Sequence, residues 1–340
     1  MNPTHDVSER VISERDSSLF GSRPHVVIEH MRQRLERRRH GNAHPDGRKL
    51  ALIIEGGGMR SMCSGAAMTA LHQLGFGDVF DEIYATSGGV MNASYFITQQ
   101  NELALSMYFE NCSQLMNRLR FWKMLDVDYI LDTVAAREKK LDLHRMSASP
   151  TNLIVTACDY RSGELLLIDT KSTRAPVMQC LRAAMAIPVY YNKTVEIDGR
   201  ACVDGGTVLP FPLLEVFERD CTDVVVLMTR PASFVERQPS WMIRRVFNAV
   251  HSSGHLSRAF SQRHKMSQHV RDLALGRAPA PSGVNILAIC PEEGSRIEAM
   301  TVDPRTIYAA GIETGRKTMQ IFGRNPEEFE FAPPRGLHLR

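Results

Sequence analysis

The run Leu50-Ala51-Leu52-Ile53-Ile54-Glu55-Gly56-Gly57-Gly58-Met59-Arg60-Ser61 sets the fold class. Its unbroken apolar start, Leu50 to Ile54, suits a strand buried on both faces of a parallel sheet. Three glycines then turn the backbone sharply, and a helical pattern runs from Ser64 to Leu74 until Gly75 stops it. Glu82 to Thr86 reads as a second strand, Ser87-Gly88-Gly89 as a tight turn, and Val90 to Gln99 as a helix. Strand, glycine turn, helix, strand, turn, helix is the pattern of βαβ units on a parallel sheet.

Working outward, residues 101 to 146 read as helical or irregular, with Phe121 and Trp122 as apolar anchors. Leu153 to Ala157 and Glu164 to Ile168 read as strands about the turn Arg161-Ser162-Gly163. Pro176 to Ala186 is a helical pattern. Asp198-Gly199 between Thr194–Ile197 and Ala201–Val203 is a hairpin signal. Asp223 to Met228 and Val284 to Ile289 are further buried-strand runs, and Pro304 to Ile321 is a late helix. Upstream, His25 to His40 favours a helix, and residues 1 to 24 are polar and poorly suited to order. The expected organisation is an N-terminal polar segment and basic helix over 1–48, a core over 49–230, and a C-terminal extension, 231–340, completing one α/β domain. That domain is expected to hold a mostly parallel central sheet flanked by helices.

Composition removes several classes. Of 340 residues, 43% are hydrophobic and 23% charged, the proportions of a globular chain. Lys plus Arg is 41 against 38 Asp plus Glu, a formal +3, which argues against a nucleic-acid partner. No apolar run is long enough for a transmembrane helix, and the first ten residues do not form a signal peptide. The cysteines, 7 in number and without a CxxC pair, fit a reduced cytoplasmic protein with small buried thiols. No His, Cys and carboxylate cluster has metal-ligand spacing, so neither metal nor cofactor is expected.

Three short motifs carry possible chemistry. In Glu55-Gly56-Gly57-Gly58-Met59-Arg60-Ser61, bare backbone N–H groups at a helix start make a site for negative charge, a phosphate or an oxyanion. The plainer reading is a tight strand–helix turn. Neither GxGxxG nor a Walker motif is satisfied. Ala85-Thr86-Ser87-Gly88-Gly89 approximates the GxSxG nucleophile elbow, with Ala for the first Gly. Otherwise Ser87 merely caps the following helix. Val203-Asp204-Gly205-Gly206 either turns the chain or sets a carboxylate at an open strand end.

Together, EGGGMRS at 55 to 61, ATSGG at 85 to 89 and VDGG at 203 to 206 resemble the patatin-like phospholipase family. The segment Ala183-Ala184-Met185-Ala186-Ile187-Pro188 is similar to the small-residue block that precedes the family's Asp. The resemblance covers roughly residues 49 to 230 and is to bacterial members. Ser61 and Ala85 stand where Gly is usual. The resemblance implies a Ser–Asp dyad, with Ser87 as nucleophile and Asp204 as general base. It also implies an oxyanion hole from the Gly56, Gly57, Gly58 and Met59 turn, an acyl-enzyme, and a lipid or phospholipid substrate. Arg60 beside the hole suits either a lipid phosphate or a structural pairing with a carboxylate or carbonyls.

The stretch from Arg237 to Arg271 contains no Asp or Glu. Trp241, Met242, Ile243, Val246, Phe247 and Val250 share one side of a helix there, opposite Arg244 and Arg245. The expectation is that the apolar side packs on the core while the excess positive charge attracts lipid or phosphate, allowing peripheral membrane contact. The other basic run, Arg32 to Arg39, reads as a solvated helix face. Two rival functions stay open. One is a catalytically weak lipid-binding or regulatory protein on the same fold, suggested by Ala85 and Ser61. The other is an esterase of α/β-hydrolase type, whose triad would draw on His251, His255, His264 or His269. Oligomeric state is not legible.

Overall fold

A computed structural model describes residues 24–40, 46–111, 126–191, 193–250 and 253–334. The N-terminal polar segment, Cys112, Phe121, Trp122, His251 and the last residues lie outside these. The elements run α1 (Val26–Arg39), β1 (Leu50–Ile54), α2 (Ser61–Gln73), β2 (Glu82–Ala85), α3 (Gly89–Ile97) and α4 (Asn101–Glu110). Next come α5 (Tyr129–Glu138, wound as a π-helix), α6 (Leu143–Ala148), β3 (Asn152–Asp159), β4 (Leu165–Asp169) and α7 (Val177–Met185). The chain closes with β5 (Val195–Ile197), β6 (Arg200–Asp204), α8 (Leu213–Phe217), β7 (Asp223–Leu227), α9 (Trp241–Val250), α10 (Gly254–Ala274), β8 (Asn285–Ile289) and α11 (Pro304–Ile321).

The strands form one 8-stranded sheet ordered β5-β6-β3-β2-β1-β7-β8, with β4 on β3. From β3 through β8 along that order every pairing is parallel, while the β3–β4, β3–β6 and β5–β6 pairings are antiparallel. The sheet is therefore mostly parallel, as the βαβ pattern predicts. Alternation in β1 feeds two cores, because successive strand side chains point to opposite faces. Leu50, Leu52 and Ile54 pack with α1, α2, α3 and α11, while Ala51 and Ile53 pack with Phe211, Leu213, Val270 and Leu273. That double burial is why the strand reads as an unbroken apolar run. The described cysteines are all buried, and none of them forms a disulfide among the described residues.

The N-terminal helix corrects one expectation. Arg34 does not lie on a solvated face. It is buried, donating to both carboxylate oxygens of Asp46 at 2.9 and 2.7 Å and to Asp81 Oδ2 at 2.6 Å. Its bond holds Asp46 down to a pKa of about 2. The α9 stripe corrects another. Only Phe247 of its described apolar residues is buried; Trp241, Met242, Ile243 and Val246 stay exposed. Arg271, counted with the surface charge, is fully buried, and its Nη1 lies 3.5 Å from Glu55 Oε1.

Candidate active site

Two turns meet at the carboxyl ends of β1 and β2, where parallel sheets gather their sites. The β1 turn carries Gly56 to Arg60 and leads into α2. Gly58 takes φ +58°, a conformation glycine adopts at no steric cost. The β2 turn places Ser87 at φ +53°, in the left-handed region that costs a serine of the order of 1–3 kcal/mol. Flanking hydrogen bonds hold it there, Gly89 N to Thr86 O at 3.0 Å and Val90 N to Ser87 O at 2.9 Å. Ser87 does not cap α3, whose start has no side-chain cap. The turns touch closely: a Cβ on Gly56 would sit 2.9 Å from the Ser87 Cβ. Only glycine fits position 56.

Asp204 arrives from the other side, at the end of β6, which pairs with β3 opposite Ala157. Its Oδ1 accepts from the Gly206 N–H at 2.7 Å, so the plain turn role is real but uses one oxygen. Oδ2 is buried with no hydrogen-bond partner among the described residues. Burial pushes the Asp204 carboxyl up to about 7, against the opposing pull of the Ser87 hydroxyl, the Gly206 amide and the Arg263 charge. Ser87 thus lies near enough to act on Asp204, although no hydrogen bond clasps the pair.

Both side chains line one cavity of about 540 Å³, walled largely by apolar side chains such as Met91, Met107, Ile130, Met185 and Ile187. Asp204 is its one acid among the described residues, and Arg60 and Arg263 are its cations. Among the described residues Arg60 has neither an ion pair nor a side-chain hydrogen bond, and its Nε is buried without a partner. The structural-pairing reading thus finds no carboxylate or carbonyl partner among the described residues. Burial lowers its pKa to about 10, with Arg230 adding to the effect. Arg263, from α10, is lowered by burial too, against the pull of Glu236. In sequence it is one of the basic residues of the acid-free stretch from Arg237 to Arg271, and no local motif places it in the cavity.

The amides of the glycine turn divide. Met59 N–H is committed to Ala299 O at 3.0 Å, and Gly56 N–H to Pro210 O at 3.3 Å. These two are not open donors, which narrows the expected set. The N–H groups of Gly57, Gly58 and Gly88 have no acceptor among the described residues. Beneath the turn, Glu55 is buried, accepting from Thr229 N–H and Oγ1 and facing Arg271. His255, His264 and His269 do not line the cavity. No described group of three His, Cys, Asp or Glu is placed to hold a metal ion.

Residues 52–217 match the family model described as Patatin-like phospholipase. The chain is 26% identical over 293 residues to the uncharacterized protein YjjU of Escherichia coli (strain K12), across 81% of this chain and 78% of that one. VipD from Legionella pneumophila superposes with a TM-score of 0.47 at 14% identity, over 81% of this chain and 67% of its own. ExoU of the type III secretion system of Pseudomonas aeruginosa, solved in complex with SpcU, gives 0.29 at 13%, over 65% and 53%. With the Ser turn, the glycine turn and the Asp hairpin facing one cavity, the chain is similar over residues 52–217 to the patatin-like phospholipase family.

Proposed function

We propose that the protein is a serine acyl hydrolase acting on acyl esters of phospholipids, lysophospholipids or related lipids. The observation that carries the reading is Ser87, held on a strained turn beside a buried, half-unpartnered Asp204 at an apolar cavity. In this reading Asp204 takes the Ser87 proton as Oγ attacks the ester carbonyl carbon. The resulting oxyanion rests on the Gly57 and Gly58 amides, with Gly88 N–H alongside. Each such donor is typically worth about 3 kcal/mol. Collapse breaks the ester C–O bond, Asp204 returns the proton to the leaving alkoxide, and an acyl chain remains on Ser87. Water, deprotonated in turn by Asp204, releases the fatty acid. A carboxyl raised toward neutrality is a stronger base than an ordinary aspartate, which suits this role.

The apolar walls favour an acyl chain, and the two guanidinium groups, without ion pairs among the described residues, favour a phosphate beside it. Arg60 is the proposed substrate-binding residue of the notable turn, and Arg263 joins it. The test is reaction of the purified chain with a fluorophosphonate, followed by mass spectrometry. The expected adduct is on Ser87, and Ser87→Ala is expected to lose both labelling and esterase turnover, by at least about 10³-fold, with its circular dichroism unchanged. An adduct on another serine, with Ser87 unmodified, would refute the assignment.

A further inference from the structure

Among the described residues, the exposed large apolar side chains include four that lie close together on α9. Trp241, Met242, Ile243 and Val246 of α9 are 65%, 60%, 54% and 46% exposed. Met242, Ile243 and Val246 also line the cavity, as does the exposed Tyr190, whereas Trp241 lies beyond the lining. Met242 and Val246 stand four residues apart, one above the other on the helix, with Ile243 beside them. One buried anchor fixes α9 to the body: Phe247 stacks on Phe260 of α10 with ring centroids 4.1 Å apart. Phe247 lies one turn on from Ile243, at the edge of the same stripe, and its packing on α10 leaves the rest of the stripe exposed.

The stretch that carries the stripe also supplies exposed cations. Arg237, Arg245, Arg258 and Lys265 are exposed, and none has an ion pair among the described residues. No acid interrupts the sequence from Arg237 to Arg271. An apolar stripe flanked by such cations matches a bilayer interface, hydrocarbon below and anionic headgroups at its rim. A second copy of the chain fits worse, since its approach would bring the same unneutralised arginines face to face.

We infer that α9 is the docking surface for an anionic phospholipid bilayer, so that the cavity mouth opens against the acyl region of the leaflet. What passes through the mouth rests on the acyl-hydrolase reading; the docking itself does not. No described helix is long and apolar enough to cross a membrane, so this contact is peripheral.

The chain has 2 tryptophans, Trp122 and Trp241, so a Trp122→Phe background makes emission a report on Trp241. Vesicles of phosphatidylcholine alone are compared with vesicles containing phosphatidylglycerol, at low and high salt. Emission is expected to shift blue on the anionic vesicles and the shift to weaken with salt. Independently of that background, Trp241→Ser in the full chain is expected to lower co-sedimentation with anionic vesicles about tenfold while turnover of a water-soluble short-chain ester is unchanged. Unmoved emission, or equal co-sedimentation of the variant, would overturn the inference. So would a blue shift that appears without lipid as protein concentration rises, which would mark a second copy as the occupant. Ser87→Ala protein should bind vesicles like the wild type. Docking with no esterase turnover in the wild type would sink the hydrolase reading alone, and turnover without docking would sink this one alone.

Discussion

Burial gives Asp204 a pKa of about 7, and the same burial gives it a cost. If its carboxylate is the base, kcat/KM for a soluble ester rises with pH through about 7 and levels above it. A midpoint near 4 would show that burial does not raise the carboxyl of the working base. Arg263 favours the charged carboxylate, so Arg263→Gln is expected to move the midpoint upward. Stability runs the other way. The folded carboxyl binds its proton more tightly than the unfolded one, so stability is full below the unfolded value near 3.8 and is lost as pH rises through about 7. Asp204→Asn should therefore stabilise the fold more at pH 8 than at pH 5, by up to about 3 kcal/mol, while esterase turnover falls. Denaturant melts at the two pH values read this directly, and an equal ΔΔG at both would show that the carboxyl does not titrate in this range.

The elements that position the site were legible because each is a local turn with its own residue code. Gly56-Gly57-Gly58, Ser87-Gly88-Gly89 and Asp204-Gly205-Gly206 announce their backbone geometry wherever the rest of the chain goes. Effects that depend on remote partners were not. The loss of Met59 as an open donor comes from Ala299, and that of Gly56 from Pro210, neither of which any local pattern specifies. Arg263 reaches the cavity only through the packing of α10. The apolar stripe of α9 was visible, but periodicity cannot say whether a stripe meets core or solvent. The π-helical winding of α5 breaks the 3.6-residue period that helix reading relies on. For α1, composition hid a buried charge inside a basic run. Arg34→Met would strip Asp46 and Asp81 of their cation and is expected to destabilise the fold by about 3 kcal/mol, read as a lower urea midpoint. A loss under about 0.5 kcal/mol would mean the α1 contact is an ordinary surface pair.

At the scale of the whole molecule, the family-matched span, 52–217, ends before two strands of its own sheet. β7 pairs along the full length of β1, and β8 pairs with β7. A chain cut after Asp220 would leave β1 with a bare hydrogen-bonding edge and the Ala51 and Ile53 face without α10. Such a fragment is expected to be insoluble, or to show no cooperative melt, where the full chain melts cooperatively. A soluble fragment with a sharp transition would show that the C-terminal elements are dispensable. β1 is the first strand in the sequence and a central one in the sheet, with its β7 partner at Asp223 to Leu227. On a ribosome adding roughly 5–20 residues per second, that partner trails by roughly 10–35 seconds. Throughout that interval the most apolar strand of the nascent chain has one side paired to nothing, a standing invitation to aggregation or to a chaperone. Translation speed between codons 54 and 227 would then govern the yield of native protein more strongly than its equilibrium stability does.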